Sequence, residues 1–473
     1  MYQLPAITPF LILFSTIIVL LLIISFYRNH KLIAYLSLIG LILTSISFIY
    51  ISDKLPQWTN NMIFINSFSS FYIRLILFAA ILINILSINY FEKVEEQKEE
   101  YYLFLQVAVL GTITMIVSLH FAVFFIGLEL LSIPLYVMIG YIRKNPSSIE
   151  ASIKYLILAA ASSSILLFGI ALIYLVTGTM NIYKVVFILN SMQHLSLLCI
   201  VGMAMIISAI GFKLSLSPFH MWTPDVYQGA PAPVTAFLAT ISKGGVFVLL
   251  INLFANINLQ SGKTIVIALI VLSSLSMFTG NLLALRQNSI KRLLACSSIA
   301  HMGYLLIPII IGGVTGVRAA MFYLSIYFIA TIGIFSVIAI LSKEGNEIKN
   351  IEDFKGLYIR NKWLAIVFAT MIFSLAGMPL TAGFFSKFYI LFVGALNAQW
   401  LLIWFLIINS TIGLYYYLKV VFFIFKPTSE NQNKEIVLIP IGSSIVLAIS
   451  LMIIIWIGIA PNELINLIHI VYK

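Results

Sequence analysis

Four ionisable side chains lie inside long apolar stretches of this sequence. Glu129 follows the run FFIGL, and Lys213, Lys243 and Lys387 each stand among aliphatic, aromatic and glycine residues. In a membrane, a charge at the bilayer centre costs between about 2.5 and 17 kcal/mol, so such residues usually face a bundle interior and form ion pathways or proton relays. These residue types therefore predict proton transfer.

The composition places these four residues in a membrane. Of 473 residues, 62% are hydrophobic and 9% charged, whereas soluble proteins carry about 25% charged residues. The net charge of +11 is scattered and forms no basic block, which predicts membrane topology and no nucleic-acid partner. Cys199 and Cys296 stand alone, so neither a zinc site nor an iron–sulfur cluster is expected. The first apolar segment lacks a basic start and a cleavage site, so we expect a retained helix.

The lengths of the apolar segments predict the architecture. A spanning helix needs about 20 apolar residues, and a backbone in lipid must satisfy its own hydrogen bonds, which favours helices. We therefore predict an all-α, polytopic transmembrane bundle of about 14 helices. The segments lie near residues 7–26, 31–50, 71–90, 101–119, 121–141, 152–176, 197–217, 232–254, 264–285, 292–312, 318–341, 363–395, 400–425 and 438–459.

Basic residues in the connections predict the orientation. The odd-to-even connections hold Arg28, Lys31, Lys93, Lys98, Arg143, Lys144, Arg286, Lys291, Arg292, Lys343, Lys349, Lys355, Arg360, Lys362, Lys426 and Lys434. The opposite side holds only Lys54, Lys184, Lys263, Arg318 and Lys473. By the positive-inside rule the richly basic side is cytoplasmic. Both termini are then expected on the periplasmic side. The membrane is expected to be a bacterial inner membrane rather than an organellar one.

Two of the lysines accompany interrupted helices. Lys213 precedes a stretch with four prolines, and Lys387 follows Gly377, Pro379 and Gly383. Discontinuous helices in corresponding halves of a transporter mark its binding site. The pattern indicates an internal duplication and a transport path.

Two of the candidate residues also have a purely structural interpretation. Glu129 could form a packing salt bridge, and Lys243 could reach a helix end, although it lies centrally in its segment. We favour function for both. Our hypothesis is that Glu129 and Lys213 form a mobile pair that switches proton affinity and passes protons to Lys243 and then to Lys387.

Other titratable residues stay open or are set aside. His301, in SSIAHMGYLL, is a possible relay because the ordinary pKa of histidine is near 6.5, or else a satisfied core residue. Lys154 could pair with Glu150 at i,i+4 or reach the interior as a relay group. Glu150 itself, three residues after Ser147, has the spacing of a helix-capping box.

Two runs carry a family resemblance, GFKLSLSPFHMWTPDVYQGAPAPVTAFLATISKGG and AGMPLTAGFFSKFYIL. At these residues the chain resembles the antiporter-like membrane subunits of respiratory complex I and the Mrp-type cation/proton antiporters. The likeness extends from about Tyr101 to Phe425. The chain length, the missing lateral helix and Lys387, where some relatives carry glutamate, favour the subunit N group of NADH-quinone oxidoreductase.

The resemblance implies an organisation. It comprises three N-terminal helices (1–100), two inverted five-helix repeats with discontinuous helices (101–255 and 256–425) and a C-terminal helix (426–473). It also implies roles by matched position: Glu129 and Lys213 as the coupled pair, Lys243 as the central connector and Lys387 as the outlet.

The resemblance further implies a proton-translocating subunit coupled to quinone reduction elsewhere. NAD, FMN, iron–sulfur clusters and quinone are expected in partner subunits and no cofactor in this chain. The expected partners are other complex I membrane subunits, including further antiporter-like ones, and membrane lipid. The alternative is an Mrp-type antiporter subunit, although a sodium carrier would need more buried oxygen ligands than one intramembrane glutamate offers.

Overall fold

A computed structural model describes residues 4–52, 55–60, 62–94, 97–192, 194–255, 263–342, 347–427 and 438–472. Its helices are α1 (Leu4–Phe26), α2 (His30–Ser52), α3 (Ser67–Glu92), α4 (Glu100–Val117), α5 (Phe121–Ile139), α6 (Pro146–Thr177), α7 (Ile182–Ser191), α8 (Leu197–Leu214), α9 (Trp222–Gly229), α10 (Ala232–Phe237), α11 (Lys243–Phe254), α12 (Lys263–Leu285), α13 (Ile290–Ile311), α14 (Gly313–Leu341), α15 (Leu357–Arg360), α16 (Lys362–Ala376), α17 (Ala382–Leu396), α18 (Trp400–Phe425), α19 (Ile441–Ile459) and α20 (Pro461–Val471).

The predicted membrane bundle is confirmed. Within the described part of the chain, thirteen helices are long and apolar enough to span a membrane. The one predicted segment that is not among these thirteen, 363–395, is formed by α16 and α17, which are separated by a short turn. Four basic residues of the orientation argument, namely Lys54, Lys343, Lys434 and Lys473, lie outside the described residues.

Some local structure differs from the sequence-based prediction. The connection between α2 and α3 forms an antiparallel hairpin, β1 (Gln57–Asn60) with β2 (Ile63–Ile65). The expected cap of α6 was wrong: Asn145, not Ser147, is the N-cap, because Pro146 occupies the first helical turn and the Asn145 side chain accepts from the Ser147 N–H. Glu150 instead pairs with Lys154.

The two interrupted helices end in the same way. At the C-terminus of α8, Ser215 has φ +63° and the Leu216 N–H donates to the Gly211 carbonyl. At the C-terminus of α16, Gly377 has φ +84° and the Met378 N–H donates to the Phe373 carbonyl. Both are left-handed caps that satisfy a free helix carbonyl. In each of the two predicted repeats, the broken helix follows three spans and precedes one more.

The span Ala232–Phe254 contains an irregular turn. Its helix α10 passes through a π-helical turn, Leu238–Ser242, before α11 begins at Lys243. Single π turns inside α-helices occur often at functional sites. The span is buried along its whole apolar window, as is α14, so Lys243 lies in the centre of the bundle rather than on its lipid face.

Candidate functional site

The first candidate lysine, Lys213, lies in the last turn of α8 and is buried. Its Nζ donates a 2.7 Å hydrogen bond to Ser132 Oγ and lies 5.5 Å from the centre of the Tyr155 ring. Ser132 is on α5, three residues after Glu129, so both side chains lie on one side of that helix. The lysine is thus within electrostatic range of Glu129 but is held by the neighbouring hydroxyl.

Glu129 has a buried carboxylate oxygen, Oε1, without a hydrogen-bond partner. Leaving a buried polar atom unsatisfied costs about 1–3 kcal/mol, and more for a charged group. Among the residues that the structure describes, Glu129 also forms no salt bridge, so the packing ion pair that was its simpler interpretation is not formed there. The carboxylate also acts electrostatically on Tyr136 and Tyr155.

The second lysine, Lys243, opens α11 and is 1% exposed. Its Nζ donates a 2.6 Å hydrogen bond to Ser298 Oγ on α13 and lies 5.7 Å from the Tyr227 ring centre. The Ser298 hydroxyl also lies 2.8 Å from the Tyr327 hydroxyl. A central lysine is thus linked by hydroxyl groups to the second predicted repeat.

His301 lies three residues after Ser298 on α13 and is buried. Its Nδ1 is 2.6 Å from the Tyr323 hydroxyl and its Nε2 is 3.0 Å from the Tyr417 hydroxyl. Both Lys243 and Lys387 lie within electrostatic range of its ring. A neutral imidazole with a hydroxyl on each nitrogen can take a proton on one side and release one on the other.

Lys387 lies on α17 beside the break in its helix. Its Nζ donates to the Ala376 carbonyl at 2.8 Å and to Ser410 Oγ at 3.0 Å. Ala376 ends α16, where unpaired carbonyls and the helix dipole both favour a cation. The Nζ is also 5.6 Å from the Tyr304 ring centre. Unlike Lys213, which precedes its break, Lys387 follows its own.

Helix α13 connects Lys243 to Lys387. Ser298, His301 and Tyr304 recur every three residues, so they follow one face of the helix with a rise of about 4.5 Å between neighbours. Ser298 binds Lys243 at one end, and Tyr304 contacts Lys387 at the other. Five buried residues are the candidates for proton transfer and are called the buried relay below, namely Lys213, Lys243, Ser298, His301 and Lys387.

Lys154 lies apart from the buried relay, with 43% of its side chain exposed. It pairs with Glu150 at 2.6 Å and with Asp225 at 3.0 Å, and Arg292 approaches the other Asp225 oxygen at 2.7 Å. Burial raises the pKa of the Asp225 carboxyl, but the hydrogen bonds from Lys154 and Arg292 outweigh it, and the net pKa is lowered. The i,i+4 pair with Glu150 is therefore formed, and a relay role of Lys154 stays a prediction.

The sequence-based search missed several hydroxyl partners, which are Ser132, Ser410, Tyr323, Tyr327 and Tyr417. Two spacings could have predicted some of these partners. Ser132 lies at i,i+3 from Glu129, and Tyr323 and Tyr327 lie at i,i+4 on α14, so each pair shares one side of its helix. Within the described residues, no group of three or more His, Cys, Asp or Glu side chains could hold a metal ion.

Known proteins resemble this chain over nearly its whole length. Residues 118–413 match the family described as NADH:quinone oxidoreductase/Mrp antiporter, TM. The chain is 38% identical to NADH-quinone oxidoreductase subunit N of Methylococcus capsulatus, over 98% of this chain and 94% of that protein. Subunit N of Acinetobacter baumannii is 39% identical, with coverages of 97% and 94%.

Solved structures share the fold. A chain of respiratory complex I from Thermus thermophilus, determined with bound aureothin, is 28% identical with a TM-score of 0.83, over 97% of this chain and 98% of that one. A chain of the Mrp complex from Dietzia sp. has a TM-score of 0.85 but 18% identity, with coverages of 99% and 97%. The latter likeness shows the fold alone.

Proposed function

The chain belongs to the NADH:quinone oxidoreductase/Mrp antiporter family, and we propose that its buried relay moves protons as the antiporter-like subunit N of an NADH-quinone oxidoreductase. The relatives at 38% and 39% identity are subunits of that translocase and cover nearly the whole chain. The Mrp-type alternative is not favoured, since that likeness is limited to the fold. The partners are then other membrane subunits of the complex, with further antiporter-like subunits among them.

The connection through α13 is the observation that carries the proposal. Protons pass from Lys213 to Lys243, then through Ser298 and His301 toward Lys387. A lysine held by a neutral hydroxyl can exchange its proton without separating a tight ion pair. For Lys213, Lys243 and Lys387, no ion pair is formed within the described part of the chain.

Glu129 and Lys213 act as the switch of this path. When Lys213 approaches Glu129, attraction to the carboxylate holds the proton on the lysine. When Lys213 returns to Ser132, which lies three residues after Glu129 on α5, its attraction to the Glu129 carboxylate weakens and the proton can leave. The unpartnered Glu129 oxygen corresponds to the open state of the pair.

We propose that this chain carries protons and no redox centre. NAD, FMN, iron–sulfur clusters and quinone belong to partner subunits, and quinone reduction there acts on this chain through conformational or electrostatic change. The positive-inside bias supports periplasmic termini in a bacterial inner membrane.

The proposed repeats follow from the order of the spans. Three spans, one broken helix and one further span form α4–α11, and the same order recurs in α12–α18. Because five crossings are an odd number, the second unit starts on the opposite side of the membrane, which makes the repeats inverted. The boundaries 1–100, 101–255, 256–425 and 426–473 are proposed on this basis.

Purification and proton pumping test the proposal. The gently solubilised chain is expected to co-migrate with NADH-oxidising, iron–sulfur-containing partners, whereas migration alone favours a free transporter. In proteoliposomes holding the whole complex, Lys213→Met should lower the protons translocated per NADH oxidised. Unchanged translocation in an assembled Lys213→Met complex would show the relay hypothesis to be wrong.

A further inference from the structure

A cavity of about 770 Å³ opens on the basic side of the bundle, where connections from both predicted repeats meet. Lys93, Lys144 and Lys349 contribute to its wall, and Lys291 and Glu347 line it as well. By the positive-inside bias this side is cytoplasmic. The cavity is large and polar enough to hold water, and a proton can reach its wall from the cytoplasm without crossing lipid.

Lys291 and Glu347 form a nearly buried ion pair at this cavity, with 3% and 12% of their side chains exposed. Lys291 Nζ also donates to the Ala230 carbonyl. Glu347 Oε1 accepts from the Tyr90 hydroxyl and the Ala232 N–H, each at 2.6 Å. Neutral residues of similar volume are often as stable as a buried ion pair, so fastening the helices together does not require these charges.

The pair faces the buried relay along α13. Lys291 lies seven residues, or two helical turns, before Ser298, so both are on one face of α13 and about 10.5 Å apart along its axis. Between these positions lies a void of about 10 Å³, lined by residues that include Tyr227, Tyr327 and Thr331. Such a void holds about one water. The Thr331 hydroxyl oxygen is buried without a hydrogen-bond partner.

We propose that Lys291 and Glu347 are the proton-uptake pair that loads Lys243 from the cytoplasmic cavity. Lys291 of the ion pair releases its proton to a water in the void and becomes neutral. The Glu347 carboxylate then takes up a proton from the cavity and passes it to Lys291, which restores the ion pair. The Tyr327 and Ser298 hydroxyls pass the proton to neutral Lys243. This inference rests on the proposed function.

The test uses the whole complex in proteoliposomes with the double variant Lys291→Met/Glu347→Gln. Removing both charges together leaves no unpaired buried ion, so the fold is spared. The expected result is that protons translocated per NADH fall to the value of Lys243→Met, while NADH oxidation with an uncoupler and assembly persist. Lys349→Met, an exposed lysine on the same cavity, is the matched control and should pump like the wild type.

Wild-type stoichiometry in the double variant would overturn the inference. If that variant fails to assemble, Thr331→Val is used instead, because it removes a hydroxyl at the void and leaves the ion pair intact. Thr331→Val should slow translocation severalfold, and a wild-type rate would overturn the inference.

The Lys243→Met variant separates the two proposals. If it lowers translocation while the uptake variants do not, only the uptake pair is wrong; if it also has no effect, the proposed function fails.

Discussion

Lys243 and Ser298 are joined by a 2.6 Å hydrogen bond between the Nζ of one predicted repeat and the hydroxyl of the other. The two residues are 55 positions apart in the chain. Through this bond the central lysine of the first repeat contacts the helix that carries His301 and Tyr304. A proton leaving Lys243 therefore has a hydroxyl acceptor on a helix of the second predicted repeat.

The first prediction concerns this bond. Ser298→Ala removes the hydroxyl that accepts from Lys243 and contacts Tyr327. A hydrogen bond to a charged lysine contributes about 1.5–3 kcal/mol, so the number of protons translocated per NADH should fall severalfold. Translocation is measured by pH-sensitive dye in proteoliposomes. Ser336→Ala is the control, because its buried hydroxyl donates only to the Ile332 carbonyl of its own helix. Equal translocation by the two variants would contradict a role for Ser298.

The second prediction concerns Gly377. A Cβ at this position would lie 2.8 Å from Lys387 Cδ and 3.2 Å from its Nζ, on backbone with φ +84°. Gly377→Ala should therefore displace the lysine, lower translocation, and destabilise the protein by more than the roughly 1–2 kcal/mol of left-handed strain.

Gly178→Ala is the matched control for Gly377→Ala. Gly178 has φ +65° but no atom within 4 Å of the added Cβ, so only the backbone strain should appear and translocation should be unchanged. Thermal unfolding of the purified complex measures both effects. Equal losses of stability and of pumping in the two variants would argue against the contact with Lys387.

The third prediction concerns pH and Asp225. Since its pKa is lowered in the folded protein, its ion pairs are fully present above the ordinary pKa and are lost only as pH falls through the lowered value. Asp225→Asn should thus reduce stability by less than about 1 kcal/mol, because the pair is partly exposed, and by the same amount throughout neutral pH.

Asp225→Asn also tests the open role of Lys154. The substitution removes one partner of this lysine and leaves Glu150 in place. If Lys154 only anchors the surface, proton translocation stays unchanged. A fall in translocation without loss of assembly would show that the ion pairs of Asp225 with Lys154 and Arg292 contribute to translocation, and would contradict a purely anchoring role for this cluster. Thermal unfolding across the neutral range and pumping assays give the two readouts.

Local signals in the sequence predicted most of the fold. Apolar segment lengths gave fourteen segments that coincide with helices, and prolines and glycines gave both breaks near Lys213 and Lys387. The hairpin before α3 was missed because it lies in a short connection without a strong alternating pattern. The cap of α6 depends on whether Asn145 or Ser147 precedes the first helical turn. Because Pro146 lies in that turn, Asn145 is the cap.

The contacts of the candidate site were harder to predict. Tyr417 and His301 are 116 residues apart, and no periodicity reports such a pairing. On α18, Tyr417 points inward while Tyr415, two residues earlier, is exposed. Lys291 was assigned to a cytoplasmic connection from its charge; its burial against Glu347 depends on how distant connections fold together.

The most direct test of the buried relay is the number of protons translocated per NADH by Lys243→Met in the reconstituted whole complex. Methionine keeps the length and apolar stem of lysine but cannot carry a proton, so packing around Ser298 should persist. The relay predicts that translocation falls while NADH oxidation with an uncoupler and subunit composition stay intact. Wild-type stoichiometry in the assembled Lys243→Met complex would contradict it.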